Sequence, residues 1–265
     1  MATRKPVQPT GTAITNWDEQ LAAAAEAAAK MEASAGGGQF FSIKGGILTF
    51  NDAPMPGNRV GAVILASVLE NVFYDGDYDP DSPQAPICYA FGDDEATMAP
   101  HENAPAPQHD QCHGCPQNEF GSAHKGKGKA CRNVRRLALI PAGSFVEERF
   151  TPFKTAEEFE KAQIGFMKVP VTSVRGFANF VKTVATVMRR PPFAIFTKIS
   201  VVPDPKSQFR VLFEPIDKVP NSLAGVVTAR HEEAVGVINF PYPEVEEVEK
   251  PARRVIAKKK PAVKR

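Results

Sequence analysis

The four cysteines of the 265-residue chain, Cys88, Cys112, Cys115 and Cys131, fall close together in the sequence. Cys112-x-x-Cys115 has the spacing of a zinc knuckle, and Gly114 and Pro116 suit the turn such a knuckle needs. Between Cys115 and Cys131 runs "PQNEFGSAHKGKGKA", a glycine and lysine stretch that buries too little apolar surface to offset a chain entropy of roughly 1–2 kcal/mol per residue. Structural zinc held by four thiolates supplies on the order of 10 kcal/mol and would order it. The expected ligands are Cys88, Cys112, Cys115 and Cys131. Alternatives stay open: one of His101, His109, His113 or His124 replacing a cysteine, free thiols, a disulfide, or iron and sulfur. A four-thiolate site is closed, which argues against catalytic zinc. The run "DGDYDPD" fails as a calcium loop, because Pro80 and Pro86 stand where glycine and the terminal glutamate belong.

The second chemical feature is charge. From Val60 to His124 there is no Lys or Arg, whereas Lys125, Lys127, Lys129, Arg132, Arg135 and Arg136 follow with no acid among them. Basic residues interleaved with glycine let side-chain cations and backbone N–H groups approach phosphates. Arg175 and Lys182 add cations on a predicted helix. Phe120, Tyr89 and Phe91 lie near the basic segment, with Tyr74 and Tyr78 upstream. Aromatic stacking combined with backbone neutralisation holds single strands without sequence preference. A solvated lysine-rich loop and ordinary core aromatics are the competing reading. There is no phosphate loop, no dinucleotide-binding glycine motif and no nucleophile with a positioned base, so no chemistry of its own is expected. A nuclease using carboxylates of the acidic loop is the enzymatic rival.

The elements that must position these residues are mostly strands. "QFFSIKGGILTF" reads as a hairpin about Gly45-Gly46, and "NRVGAVILASVLENVFY" as a long strand. A short strand is expected at 87–91 and another at "RRLALIPAG". A short helix is expected in "TAEEFEKAQIGF", then the extended "MKVPVT" and a helix in "TSVRGFANFVKTVATVMRR". "FAIFTKISVVPDPKSQFRVLFEPI" gives a second hairpin. Residues 1–38 hold an alanine-rich helix and linker, 39–242 the main domain with an insertion at about 75–136, and 243–265 an acidic then basic tail expected to be disordered. The chain is 43% hydrophobic, without a span of roughly 20 apolar residues or a secretory signal, and a soluble intracellular protein is expected.

The succession "PICYAFGDDE", "CHGCPQNEFGSAHKGKGKACRNVRRLALI", "VPVTSVRGFANFVKTVA" and a final hairpin resembles a family of bacteriophage single-stranded-DNA-binding proteins with a four-cysteine zinc insertion. The resemblance covers about residues 39–215. It implies a mainly β (α+β) fold: an OB-like barrel with a zinc-stapled loop, one or two packed helices and flexible tails. It implies zinc at the four cysteines, and single-stranded DNA at or near Lys125, Lys127, Lys129, Arg132, Arg135 and Arg136. The implied setting is phage replication or recombination in the cytoplasm of the bacterial host, alongside other phage proteins. The basic end of the chain departs from the acidic tail by which many such proteins recruit partners. A zinc-stabilised interaction protein that binds no nucleic acid is the remaining alternative.

Overall fold

The computed structural model describes residues 39–76 and 84–243, together with Leu21 and Ala24. The expected alanine-rich helix, apart from those two residues, the "DGDYDPD" turn beyond Gly76, Tyr78, and the tail beyond Pro243 lie outside the described residues.

Strand β4, Arg59–Phe73, is the spine of the molecule. Its 15 residues are buried on both faces along most of their length, which explains why its sequence is largely apolar rather than alternating. It pairs antiparallel with β6, Arg132–Pro141, and with β10, Ile195–Asp204. At its far end it also pairs with β5, Cys88–Gly92. Strand β9, Gly165–Val169, adds to β6, and β1, Phe40–Lys44, adds parallel to β9. Strands β2, Ile47–Phe50, β3, Ala53–Pro54, and β11, Gln208–Lys218, complete one nine-stranded sheet in the order β11-β10-β4-β6-β9-β1-β2-β3, with β5 beside β4. The fold is mainly β with a few helices, and the sheet curls as a half-barrel.

Both expected hairpins form. Lys44 opposes Ile47 across Gly45 and Gly46, whose φ values of 58° and 79° suit the two-residue turn that continues a right-handed strand twist. In the second hairpin Asp204 Oδ2 accepts from Lys206 N and Ser207 N at 3.2 and 3.0 Å, closing the turn into β11. A further small hairpin, β7, Gly143–Val146, with β8, Arg149–Pro152, carries no turn signal that the sequence made evident.

The sheet is packed on both sides. Ala62, Ile64, Leu137, Leu139 and Met167 face helix α2, Val171–Thr183, which contributes Phe177 and Phe180. Ser173 in its first turn accepts a hydrogen bond from Val211 N at 2.9 Å and ties the helix to β11. On the opposite face Val63, Leu65, Ala138 and Ile140 meet helix α1, Ala156–Lys161, through Phe159, and helix α3, Ala224–Val237, through Val227 and Ala234. Helix α1 opens with a capping box between Thr155 and Glu158, which lowers the Glu158 pKa through hydrogen bonds from the backbone of Lys154 and Thr155. Among the described residues no helix is long and apolar enough to cross a membrane.

Among the described residues, α1 and α3 leave part of the sheet uncovered. The chain after α3, residues 238–243, crosses that part and forms one wall of a cleft.

Candidate functional site

The cysteine segment leaves β5 and returns to β6, so both of its ends are fixed by β4. Cys88 opposes Phe73 and Arg132 opposes Val72. Within it, Cys112 N donates to Met98 O at 2.8 Å, and Gly114 takes φ 75°, a left-handed conformation that glycine adopts without strain. Cys115 N reaches back to Cys112 O at 3.5 Å and Asn118 N to Cys115 O at 2.8 Å, so the chain turns tightly around the pair. Cys131 N donates to Gln117 O at 2.7 Å.

All four cysteines are free and line one cavity of about 20 Å³. That is space for about a single water-sized body. The Asn71 side chain hydrogen-bonds to the Cys112 sulfur, and the Gln108 backbone to that of Cys88. Burial pushes the thiols of Cys88 and Cys112 above their ordinary values, and that of Cys131 up to about 12. The neighbouring cysteines add to each shift by charge repulsion. Four soft sulfur donors beside N–H groups are a suitable donor set for zinc. Yet among the described residues no three His, Cys, Asp or Glu side chains close into a group that could hold a metal ion. The donors fit in kind and share one cavity, without being drawn round one point.

A polar network also holds the segment. Asn118 Nδ2 donates to Cys112 O at 2.9 Å, while its Oδ1 accepts from Asn133 Nδ2 at 2.9 Å and Lys129 Nζ at 3.3 Å. Asn133 Nδ2 in turn reaches Asn71 Oδ1 at 2.6 Å, linking the segment to β4 and β6. The glycine-lysine loop is closed by Gly128 O, which accepts from Gly121 N at 2.9 Å and Ala123 N at 3.2 Å. Ser122 Oγ accepts from Ala130 N at 2.9 Å. These three asparagines were missed at the level of sequence. Asn71 and Asn133 stand on separate strands, 62 positions apart, and only the pairing of β4 with β6 reveals that they meet.

The basic residues divide. Lys125 and Lys127 are exposed on the loop, and Phe120, 81% exposed, carries Lys129 Nζ 5.3 Å from its ring centroid. Arg132 is exposed at the start of β6, with its guanidinium carbon 5.6 Å from the Tyr74 ring centroid. Arg135 points to the other face of β6, towards Asp93 and Glu95, and is half-buried, which lowers its pKa while the two acids raise it. Arg136 is buried, and so is Tyr89, which packs against Phe91, His101 and Tyr242. Arg175 and Lys182 lie on α2 and line neither of the two cavities described next.

The first is a polar cavity of about 570 Å³, bounded by Lys125, Lys129, His124, Asp75, Tyr74 and Arg132. The second is a cleft of about 600 Å³ on the open part of the sheet, walled by Phe40, Phe166, Phe240 and Tyr242. Its described lining holds three cations, Arg132, Arg136 and Lys168, and no acid. Tyr74 and Arg132 belong to both cavities.

Behind the cleft lies Glu70, fully buried on β4. Its Oε1 takes Arg136 Nη2 at 3.0 Å and the Tyr242 hydroxyl, with Lys168 Nζ at 3.5 Å. Arg136 Nη1 donates to Ile238 O at 3.1 Å and Phe240 O at 2.7 Å, and its guanidinium lies between the Phe91 and Phe240 rings at 4.1 and 4.2 Å. This buried cation therefore pins the cleft wall to the sheet. Burial lowers the Lys168 pKa while Glu70 opposes the shift, and burial together with the Glu70 charge raises that of Tyr242.

Compared with family models, curated proteins and solved structures, the chain matches none.

Proposed function

We propose that the protein binds single-stranded DNA without sequence preference and performs no chemistry on it. The observation that carries the reading is the polar cavity beside the glycine-lysine loop, where Lys125, Lys129 and Arg132 converge with one acid, Asp75, among the described lining. The cations there suit phosphates, whose neutralisation dominates the affinity of nucleic-acid binding.

In this reading Cys88, Cys112, Cys115 and Cys131 hold a structural zinc that stiffens the loop, and the curled sheet is an OB-like barrel carrying the insertion. The resemblance of the cysteine segment to phage proteins supports a role in phage DNA replication or recombination in the host cytoplasm, beside other replication or recombination proteins. A second reading, an interaction module whose cations meet an acidic protein, draws on the Asn71–Asn133–Asn118 network, which fixes the segment without reference to nucleic acid.

Fluorescence anisotropy with single- and double-stranded oligonucleotides of the same sequence tests the proposal. Tighter binding of single strands that weakens steeply with salt is the expected result. Binding of an acidic peptide with none of DNA would favour the second reading, and shortening of the DNA on adding magnesium would favour a nuclease.

A further inference from the structure

We infer that the cleft walled by Phe40, Phe166, Phe240 and Tyr242 is where the bases of the bound strand stack, so that the strand passes from the lysine loop into the cleft across the paired Tyr74 and Arg132. This rests on the single-strand reading above and adds the site that takes the bases.

Three observations carry it. The first is shape and composition: the cleft's volume of about 600 Å³ falls within the roughly 300–1,000 Å³ of small-molecule sites, and its walls are aromatic. Phe40 is 41% exposed although it sits in a strand, while its ring approaches those of Phe166 and Phe240 at centroid distances of 6.2 and 6.0 Å. An open ring face beside fixed rings offers a planar group a place to stack, worth roughly tenfold or more in affinity per base.

The second is charge. Arg132, Arg136 and Lys168 line the cleft and its described lining has no acid, while the single carboxylate of Glu70 behind the wall is shared by Arg136 and Lys168, so the lining keeps a net positive charge. The occupant that suits such a lining is both flat and anionic. The third is continuity. The cleft and the loop cavity share Tyr74 and Arg132, so one strand can place phosphates on the loop and bases on the rings without leaving the surface. A duplex keeps its base faces stacked inside and cannot offer them to such a concave wall.

The test uses the full chain with a labelled oligothymidylate and a strand of the same length in which abasic sites replace the bases. Wild-type protein is expected to bind the abasic strand about tenfold more weakly. Phe40→Ala and Tyr74→Ala should each lose about tenfold on oligothymidylate and change little on the abasic strand, a pattern that general loss of folding does not give. Photocrosslinking with 5-iododeoxyuridine in the oligonucleotide should mark Phe40, Tyr74 or Tyr242. Equal binding of the two strands by wild type, or crosslinks confined to residues 117–131, would overturn the cleft assignment and leave single-strand binding standing. Crosslinks confined to residues beyond Pro243 would overturn it likewise. No binding of oligothymidylate at low salt would remove the single-strand reading and the cleft with it.

Discussion

The Arg132 guanidinium lies over the Tyr74 ring, 5.6 Å from its centroid, at the point where the lysine-loop cavity meets the aromatic cleft. Arg132 opens β6 opposite Val72 and Tyr74 directly follows β4, so their approach is set by the register of the two central strands. A rigid sheet, rather than a loop, fixes the junction of the proposed path.

Removing loop charge should change the salt dependence more than the sequence preference. With Lys125→Gln and Lys127→Gln combined, the slope of log affinity against log salt should fall by about 0.7 for each phosphate of a single strand that is no longer neutralised. Anisotropy titrations over a range of salt on two unrelated sequences check this. Unequal losses on the two sequences would mean that these lysines read bases.

Replacing Arg136 should destabilise the fold. Arg136→Met would leave the fully buried Glu70 with Lys168 and Tyr242 only, and breaking a buried pair from one side costs about 3–5 kcal/mol. Urea unfolding should show a loss of that order, and the Glu70→Gln, Arg136→Met double variant should lose less than the two single variants added together. A loss in Arg136→Met below about 1 kcal/mol would show that the pair adds little.

Alkaline pH should loosen the cleft wall. The Tyr242 hydroxyl is raised above its ordinary value by burial, then by the charge and hydrogen bond of Glu70. Above about pH 10 the unfolded chain releases this proton while the folded chain keeps it, so the unfolded state binds fewer protons and stability falls as pH rises. Tyr74, also raised, acts in the same direction. Lys168, lowered chiefly by burial, acts oppositely between its folded value and the ordinary lysine value, where the unfolded chain binds more protons. Urea midpoints from about pH 9 to about pH 11 should therefore fall less steeply in Tyr242→Phe than in wild type. Parallel curves would place the alkaline loss elsewhere.

Metal content separates the two supports of the cysteine segment. Protein purified without chelator is expected to carry about one zinc per chain, and Cys112→Ser or Cys131→Ser to lose it. If the asparagine network alone holds the loop, a strong chelator will leave the melting temperature and hydrogen exchange at residues 112–131 unchanged. If zinc holds it, both will shift.

Much of the sheet was legible in the sequence. β4 announces itself as a long, largely apolar run, and Gly45-Gly46 fixes a hairpin with one local conformational demand. Helix α2 was legible because apolar residues at 174, 177, 181, 184 and 188 recur at helical spacing, although of these only Phe177 and Val184 are buried and Phe180 lies off that row. Helix α3 was not, since Val227 and Ala234 are its only buried residues and glycine and valine stand elsewhere along it. The cleft was the least legible feature. Phe40, Phe166 and Phe240 come from distant parts of the chain and meet only because β1 pairs parallel with β9 and residues 238–243 fold back over Arg136. Arg136 read as one more cation in a basic strip, because sequence alone could not reveal the carboxylate of Glu70 facing it from the neighbouring strand.

The central claim is that this molecule holds single strands, and one titration tests it most directly: matched single- and double-stranded oligonucleotides against the full chain at rising salt, with and without a strong chelator. Tighter single-strand binding, a steep decline with salt and weakening on chelation are the predicted results. Equal affinity for both forms, or no binding at the lowest salt, would contradict it.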